Sequence, residues 1–162
     1  MILDFIRNKI VEVEPLPDGS LAVFWRLKDS LLDAEVELRV QPPDLEITEA
    51  KAHLIRLPHK ECLSSPGLIE KVKGLRIGPG LRKIVWGLLG DSEGCQVMTH
   101  AVLECSNAVI LHFTRYTLQP ADDLDDDAKI AGAQALLKAN PRMAGSCVVF
   151  ADDSPVVQGL DD

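Results

Sequence analysis

The spacing of apolar residues changes period at Ser64, and that change sets the fold class. Before it, apolar side chains alternate along the chain. After it, they recur every three or four residues. The clearest alternation is Ala34-Glu35-Val36-Glu37-Leu38-Arg39-Val40, where Val36, Leu38 and Val40 face one way and Glu35, Glu37 and Arg39 the other. Such a strand has one dry and one wet face, the signature of an antiparallel sheet solvated on one side. Ile10–Val13 and Leu21–Leu27 flank Pro15-Leu16-Pro17-Asp18-Gly19-Ser20, where Asp-Gly predicts a hairpin reversal. Gln41-Pro42-Pro43-Asp44 breaks the third run, and Leu45–Leu57 reads as a long fourth strand.

From Ser64 the period is helical. Ser64-Ser65-Pro66 reads as a helix start, with Leu68, Ile69 and Val72 as its stripe and Gly74 as its stop. Leu81, Ile84, Val85, Leu88 and Leu89 mark a second helix ending at Gly90. A third starts near Glu93, with Met98, Val102, Cys105 and Val109 as its buried face and Gln96, His100, Glu104 and Asn107 mostly outside that stripe. A fourth is expected over Asp122–Ala139, its acidic first turn suited to the helix dipole and Asn140-Pro141 ending it. Ser146-Cys147-Val148-Val149-Phe150 reads as a short strand. The expected class is α+β: an antiparallel sheet of N-terminal strands plus a short C-terminal strand, with three to four helices packed on one face. Residues 1–150 are read as a single domain and 151–162 as an acidic, flexible tail.

A chain of 162 residues is long enough for one domain with a sizeable core, burying roughly 70% of its unfolded surface. No apolar run approaches the ~20 residues that span a bilayer. Met1–Lys9 carries Asp4, Arg7 and Lys9 and does not read as a secretory signal. The expectation is a cytoplasmic protein away from membranes, with its four cysteines as thiols or ligands rather than disulfides. The net charge of −8 is concentrated late, since residues 121–162 hold nine Asp against Lys129, Lys138 and Arg142. A field of that sign repels phosphate and argues against a nucleic-acid partner. Lys71, Lys73, Arg76, Arg82 and Lys83 form a local exception, read as a solvated helical face.

Among candidate chemical groups, Cys95 stands out because Gly94-Cys95 opens the third helix. Unpaired backbone N–H groups and the helix dipole favour a thiolate there, as a nucleophile or as a metal ligand. The plain alternative is a small residue packing a helix start. His59 and Cys62 form a His-x-x-Cys pair with a spacing that suits one metal ion, against the alternative of a loop histidine and a helix-leading cysteine. His100 is excluded as a partner of Cys95, because five residues place the two about 140° apart around a helix. It is read as a surface residue near Glu104. Cys105 and Cys147 read as core or strand residues, and Trp25 and Trp86 as core anchors or pocket walls. Signatures for acyl transfer, phosphate cradling, zinc proteolysis and dinucleotide binding are absent from the sequence.

The ordered series Leu57-Pro58-His59-Lys60-Glu61-Cys62, Gly74-Leu75-Arg76-Ile77-Gly78-Pro79-Gly80, Gly94-Cys95 and Ser146-Cys147 resembles an uncharacterised bacterial family, domain-of-unknown-function family 2889. The likeness runs over roughly residues 8–158. In that family Gly-Cys commonly continues Thr-His-Leu, whereas here Gln96-Val97-Met98 follows, so Val97 stands where the histidine is usual. A weaker likeness is one of layout: strands, a cysteine loop, then helices with a cysteine opening a late one looks like the iron–sulfur cluster scaffold and sulfur-acceptor fold. That resemblance implies zinc or an iron–sulfur cluster held by Cys62 and Cys95, with Asp33 in place of a first cysteine missing near Leu31.

Three readings remain open on the sequence. One is a metal- or iron–sulfur-binding accessory protein using Cys62, Cys95, His59 and Asp33. Another is a small-molecule enzyme with a pocket between sheet and helices and Cys95 as reactive group. The last is a non-catalytic module that binds a protein partner.

Overall fold

The computed structural model describes residues 4–118, 124–139 and 141–160. Contacts divide the chain into two compact units, 1–112 and 113–162, and each is described by itself.

The first unit begins with a four-stranded antiparallel meander in the order β1 (Asn8–Pro15), β2 (Leu21–Lys28), β3 (Asp33–Gln41) and β4 (Glu46–Arg56). The hairpin predicted at Asp18-Gly19 joins β1 to β2. Gly19 takes φ +82°, the left-handed backbone that glycine adopts without a Cβ penalty, and Gly19 N–H donates to the Leu16 carbonyl. The alternation read from the sequence is realised in register, with Val23 opposite Leu38, Trp25 opposite Val36, and Leu27 opposite Ala34. All six of these side chains are buried, while Arg26 and Glu35 on the other face are exposed.

The chain then turns helical as expected, four residues earlier and in a tighter form. Lys60–Val72 is a long run of 3-10 turns with Pro66 inside it, and Ile69 and Val72 are buried. Gly74 ends it at φ +80°. The segment Gly74–Ile77 then laces along the start of β4: Ile47 N–H donates to Leu75, Gly74 N–H to Ile47, and Ile77 N–H to Leu45. That last bond anchors Leu45, which has a positive φ of 54° despite its side chain.

Helix α1 (Leu81–Leu89) buries Leu81, Val85 and Leu89 at four-residue spacing. Helix α2 (Gln96–Leu118) carries the stripe foreseen in the sequence, with Met98, Val102, Cys105 and Val109 all fully buried. These residues share one core cluster with the inner faces of β2, β3 and β4.

In the second unit α3 (Asp126–Ala139) starts later than the Asp122 expected for it. The Asp125 side chain caps it by accepting from Ala128 N–H at 2.7 Å, and residues 119–123 lie outside the described residues. Two short 3-10 turns, Pro141–Met143 and Val148–Phe150, and a one-turn helix α4 (Pro155–Gln158) follow. The C-terminal strand read at Ser146–Phe150 is therefore corrected: no strand follows β4 among the described residues. Phe150 N–H returns to the Cys147 carbonyl and Gly145 N–H to the Phe150 carbonyl, so the β-branched pair Val148-Val149 is curled rather than extended. Leu137, Phe150 and Val156 form this unit's buried centre.

Candidate functional site

The first unit holds a cleft of about 270 Å³ lined by Arg7, Lys9, Trp25, Leu27, Leu32, Val97, His100 and Glu104. Its sheet wall follows from register: Lys9 pairs with Leu27 and Val11 with Trp25, which puts Lys9 on the inner face where β1 gives way to polar residues. Its other wall is the first turns of α2. Val97, His100 and Glu104 lie three and four residues apart and so fall on one side of the helix, beside the buried stripe.

The electrostatic centre of the cleft is Glu104. Its Oε2 accepts from the indole Nε1 of buried Trp25 at 2.5 Å, and its Oε1 from Lys9 Nζ at 2.5 Å. A buried indole N–H costs free energy unless it finds an acceptor, and this carboxylate supplies one. The carboxylate is thus fixed at both oxygens, and one residue ties β1, β2 and α2 together. The exposed His100 ring meets Trp86 edge to face with centroids 5.6 Å apart. His100 and Glu104 also line a second, wider cleft of about 430 Å³ with Ile77, Leu81, Arg82 and Leu103. The imidazole and carboxylate therefore border both hollows.

Arg7, at the cleft's other side, is held by Asp29. The Asp29 side chain is fully buried; Oδ2 accepts from Arg7 Nε at 2.7 Å, and Oδ1 from the N–H groups of Leu31 and Leu32, each at 2.7 Å. The Leu32 N–H bond first, then Arg7 and the Leu31 N–H, hold the Asp29 carboxyl below the usual carboxylate range.

The residues singled out from the sequence are placed as follows. Cys95 sits at the N-cap of α2: its carbonyl accepts from Thr99 N–H at 3.0 Å, and its own N–H donates to the Leu89 carbonyl at 2.7 Å. It is half-buried, packs against the core cluster, and is not among the residues lining either cleft. Gly94 is required by the same turn, since a Cβ there would stand 2.1 Å from the Leu89 carbonyl oxygen. His59 is exposed just before the 3-10 run, and Cys62 is half-buried within it. Asp33, at the start of β3, is buried and pairs with Lys28 at 3.0 Å. Among the described residues, no group of three or more His, Cys, Asp or Glu side chains gathers where it could hold a metal ion. Cys105 lies in the core as expected, where burial pushes its thiol pKa far upward. Cys147, read as a core or strand residue, is instead exposed at the turn preceding Val148. Trp25 is the core anchor expected, while Trp86 is only half-buried.

Sequence reasoning placed His100 near Glu104 and missed the partners that make Glu104 notable. Lys9 and Trp25 lie 95 and 79 residues away, beyond the reach of any spacing rule. The available signal was chemical: a tryptophan on the dry face of a strand needs an acceptor, and Glu104 is one of few carboxylates flanking an apolar helical stripe.

Among the described residues, no helix is long and apolar enough to cross a membrane. No curated protein and no solved structure matches the chain. The family described as protein of unknown function (DUF2889) matches over residues 18–111, more than half of the chain, spanning β2 to α2 with Trp25, Val97, His100 and Glu104; the protein belongs to that family.

Proposed function

We propose that this protein binds a small organic molecule in the cleft between β1–β2 and the first turns of α2. The observation that carries the reading is the Glu104 carboxylate, fixed by Lys9 and by the indole of buried Trp25, beside His100 in a concave site with aliphatic walls. Concave sites with apolar walls and a few converging polar groups are where small ligands bind, and about 270 Å³ lies just below the roughly 300–1,000 Å³ usual for them, which suits a small molecule. The groups offered to a ligand are an imidazole and a carboxylate, the equipment of general acid–base chemistry. Relative to the reading built on Cys95, this one keeps the pocket between sheet and helices and moves the polar chemistry to His100 and Glu104.

The test is a small-fragment screen followed by NMR, reading the Trp25 indole N–H and the Val97 amide. Fragments that occupy the cleft shift both resonances, and Val97→Phe, which fills the space, abolishes the shifts while preserving the rest of the spectrum. Fragments that bind the Val97→Phe variant equally well, or a screen in which neither resonance moves, would overturn the proposal.

A further inference from the structure

Arg7 has an arrangement that its ion pair with Asp29 does not use up. Its Nε is committed to the fully buried Asp29 carboxylate, whose two oxygens are themselves fixed by Arg7 and by two backbone N–H groups. The guanidinium carbon lies over the Phe5 ring, 5.6 Å from its centroid. Neither contact involves the two terminal amino nitrogens, which have no hydrogen-bond partner among the described residues. A guanidinium held at Nε keeps its two terminal nitrogens as a fork, the group that receives a carboxylate through two parallel N–H···O bonds. The rest of the wall narrows the choice of anion. Leu27, Leu32 and Val97 supply an aliphatic surface, and Glu104 stands in the same cleft. Lys9 offsets that carboxylate's charge, so the choice of anion falls to the aliphatic wall, which gives a phosphate nothing to bury and an acid's apolar body a surface to cover.

We infer that the ligand of this cleft is a small monocarboxylic acid with an aliphatic body, its carboxylate received by the terminal fork of Arg7 and its chain lying against Leu27, Leu32 and Val97. The inference rests on the cleft being the ligand site, as proposed above. Arg7 is here a binding residue and Asp29 the residue that positions it.

The full chain is titrated with hexanoate, with the neutral isostere hexanamide, and with inorganic phosphate, following the Val97 amide and the Trp25 indole N–H by NMR. Hexanoate should bind at least tenfold tighter than hexanamide and than phosphate. Arg7→Gln should bring hexanoate down to the level of hexanamide and leave hexanamide unchanged, with Arg7→Lys intermediate because it keeps the charge and loses the fork. Should Arg7→Gln fail to fold, the Arg7→Lys comparison decides on its own, a loss for hexanoate alone supporting the assignment and no loss overturning it. Equal binding of acid and amide, or a preference that survives Arg7→Gln, overturns the carboxylate assignment while leaving the cleft as a ligand site. Tighter binding of phosphate overturns the aliphatic class. If no probe moves either resonance, the assignment falls, and the fragment screen then decides the cleft itself.

Discussion

In the first unit, strands β2, β3 and β4 and three helical segments share one buried cluster, in which Val23, Ala34, Leu38, Val40, Ile47, Val85, Met98 and Val102 have no exposed surface. In the second unit the buried centre is Leu137, Phe150 and Val156, each still 5–6% exposed, with partly buried neighbours such as Ile130, Leu136 and Leu160. A smaller segment covers a smaller fraction of its own surface, so it has less apolar burial to set against chain entropy. Sites that need a fixed geometry belong on the better-buried frame. The clamp on Glu104 and the buttress under Arg7 are both built there.

Thiol labelling offers the largest contrast between the two regions. Cys105 is fully buried in the first unit and Cys147 exposed in the second. Labelling at Cys147 should be fast at neutral pH, whereas Cys105 should wait for an opening reaction costing at least ~5 kcal/mol, a slowing of over a thousandfold. Mass spectrometry of timed labelling samples checks this, and comparable rates would mean that the first unit opens readily.

Next in size, Leu38→Ala should lower stability by about 2–5 kcal/mol in denaturant unfolding, because Leu38 is wholly enclosed by the sheet and helices. A loss under 1 kcal/mol would show the core to be loosely packed. A smaller, local effect is expected at Ser154, whose hydroxyl donates to the Val149 carbonyl at 2.7 Å and accepts from Val157 N–H at 3.3 Å. Ser154→Ala should cost about 1 kcal/mol and raise hydrogen exchange in α4 without altering exchange in β2 and β3.

The mildest contrast is with acid. Asp18, Asp29 and Glu49, all in the first unit, have carboxyls held below their ordinary range, chiefly by the Ser20 hydroxyl, the Leu32 N–H and Lys51 respectively. For a depressed carboxyl the folded state binds fewer protons than the unfolded state in the acid range. Its stabilisation is therefore complete above the ordinary carboxylate pKa of about 4 and is lost as pH falls below it. The melting temperature should drop from pH 5 to pH 3, and less steeply in Asp29→Asn. An unchanged slope would mean that the Asp29 bonds do not persist in solution.

The sheet was legible because its evidence is local. Alternation over Val36, Leu38 and Val40 and the Asp18-Gly19 reversal are read from neighbouring residues, and the register follows from them. The α2 stripe was legible for the same reason. Misreadings occurred where local preference and tertiary bonding disagree. Val148-Val149-Phe150 has strand chemistry, yet Gly145 at φ +69° and the bonds closing on Phe150 fold it into a turn. Ile69 and Val72 are buried as their spacing implies, but Pro66 does not begin its helix and sits in the middle of the 3-10 run Lys60–Val72. The site was half legible. His100 and Glu104 could be placed together on α2, but Arg7, Lys9 and Trp25 reach them only through the folded sheet.

The tight turn at Gly94-Cys95 has a consequence for mutational tolerance. A saturation scan would find position 94 closed to every side chain, because the obstacle is the Leu89 carbonyl and not a ligand. Position 95 contributes its backbone N–H and carbonyl to that turn, and any small residue supplies those equally well. If the thiol is idle, serine and alanine at 95 will be accepted while 94 stays closed. If serine and alanine at 95 are rejected along with everything at 94, the sulfur has a use beyond the turn. Two adjacent positions thus separate what the backbone demands from what chemistry demands.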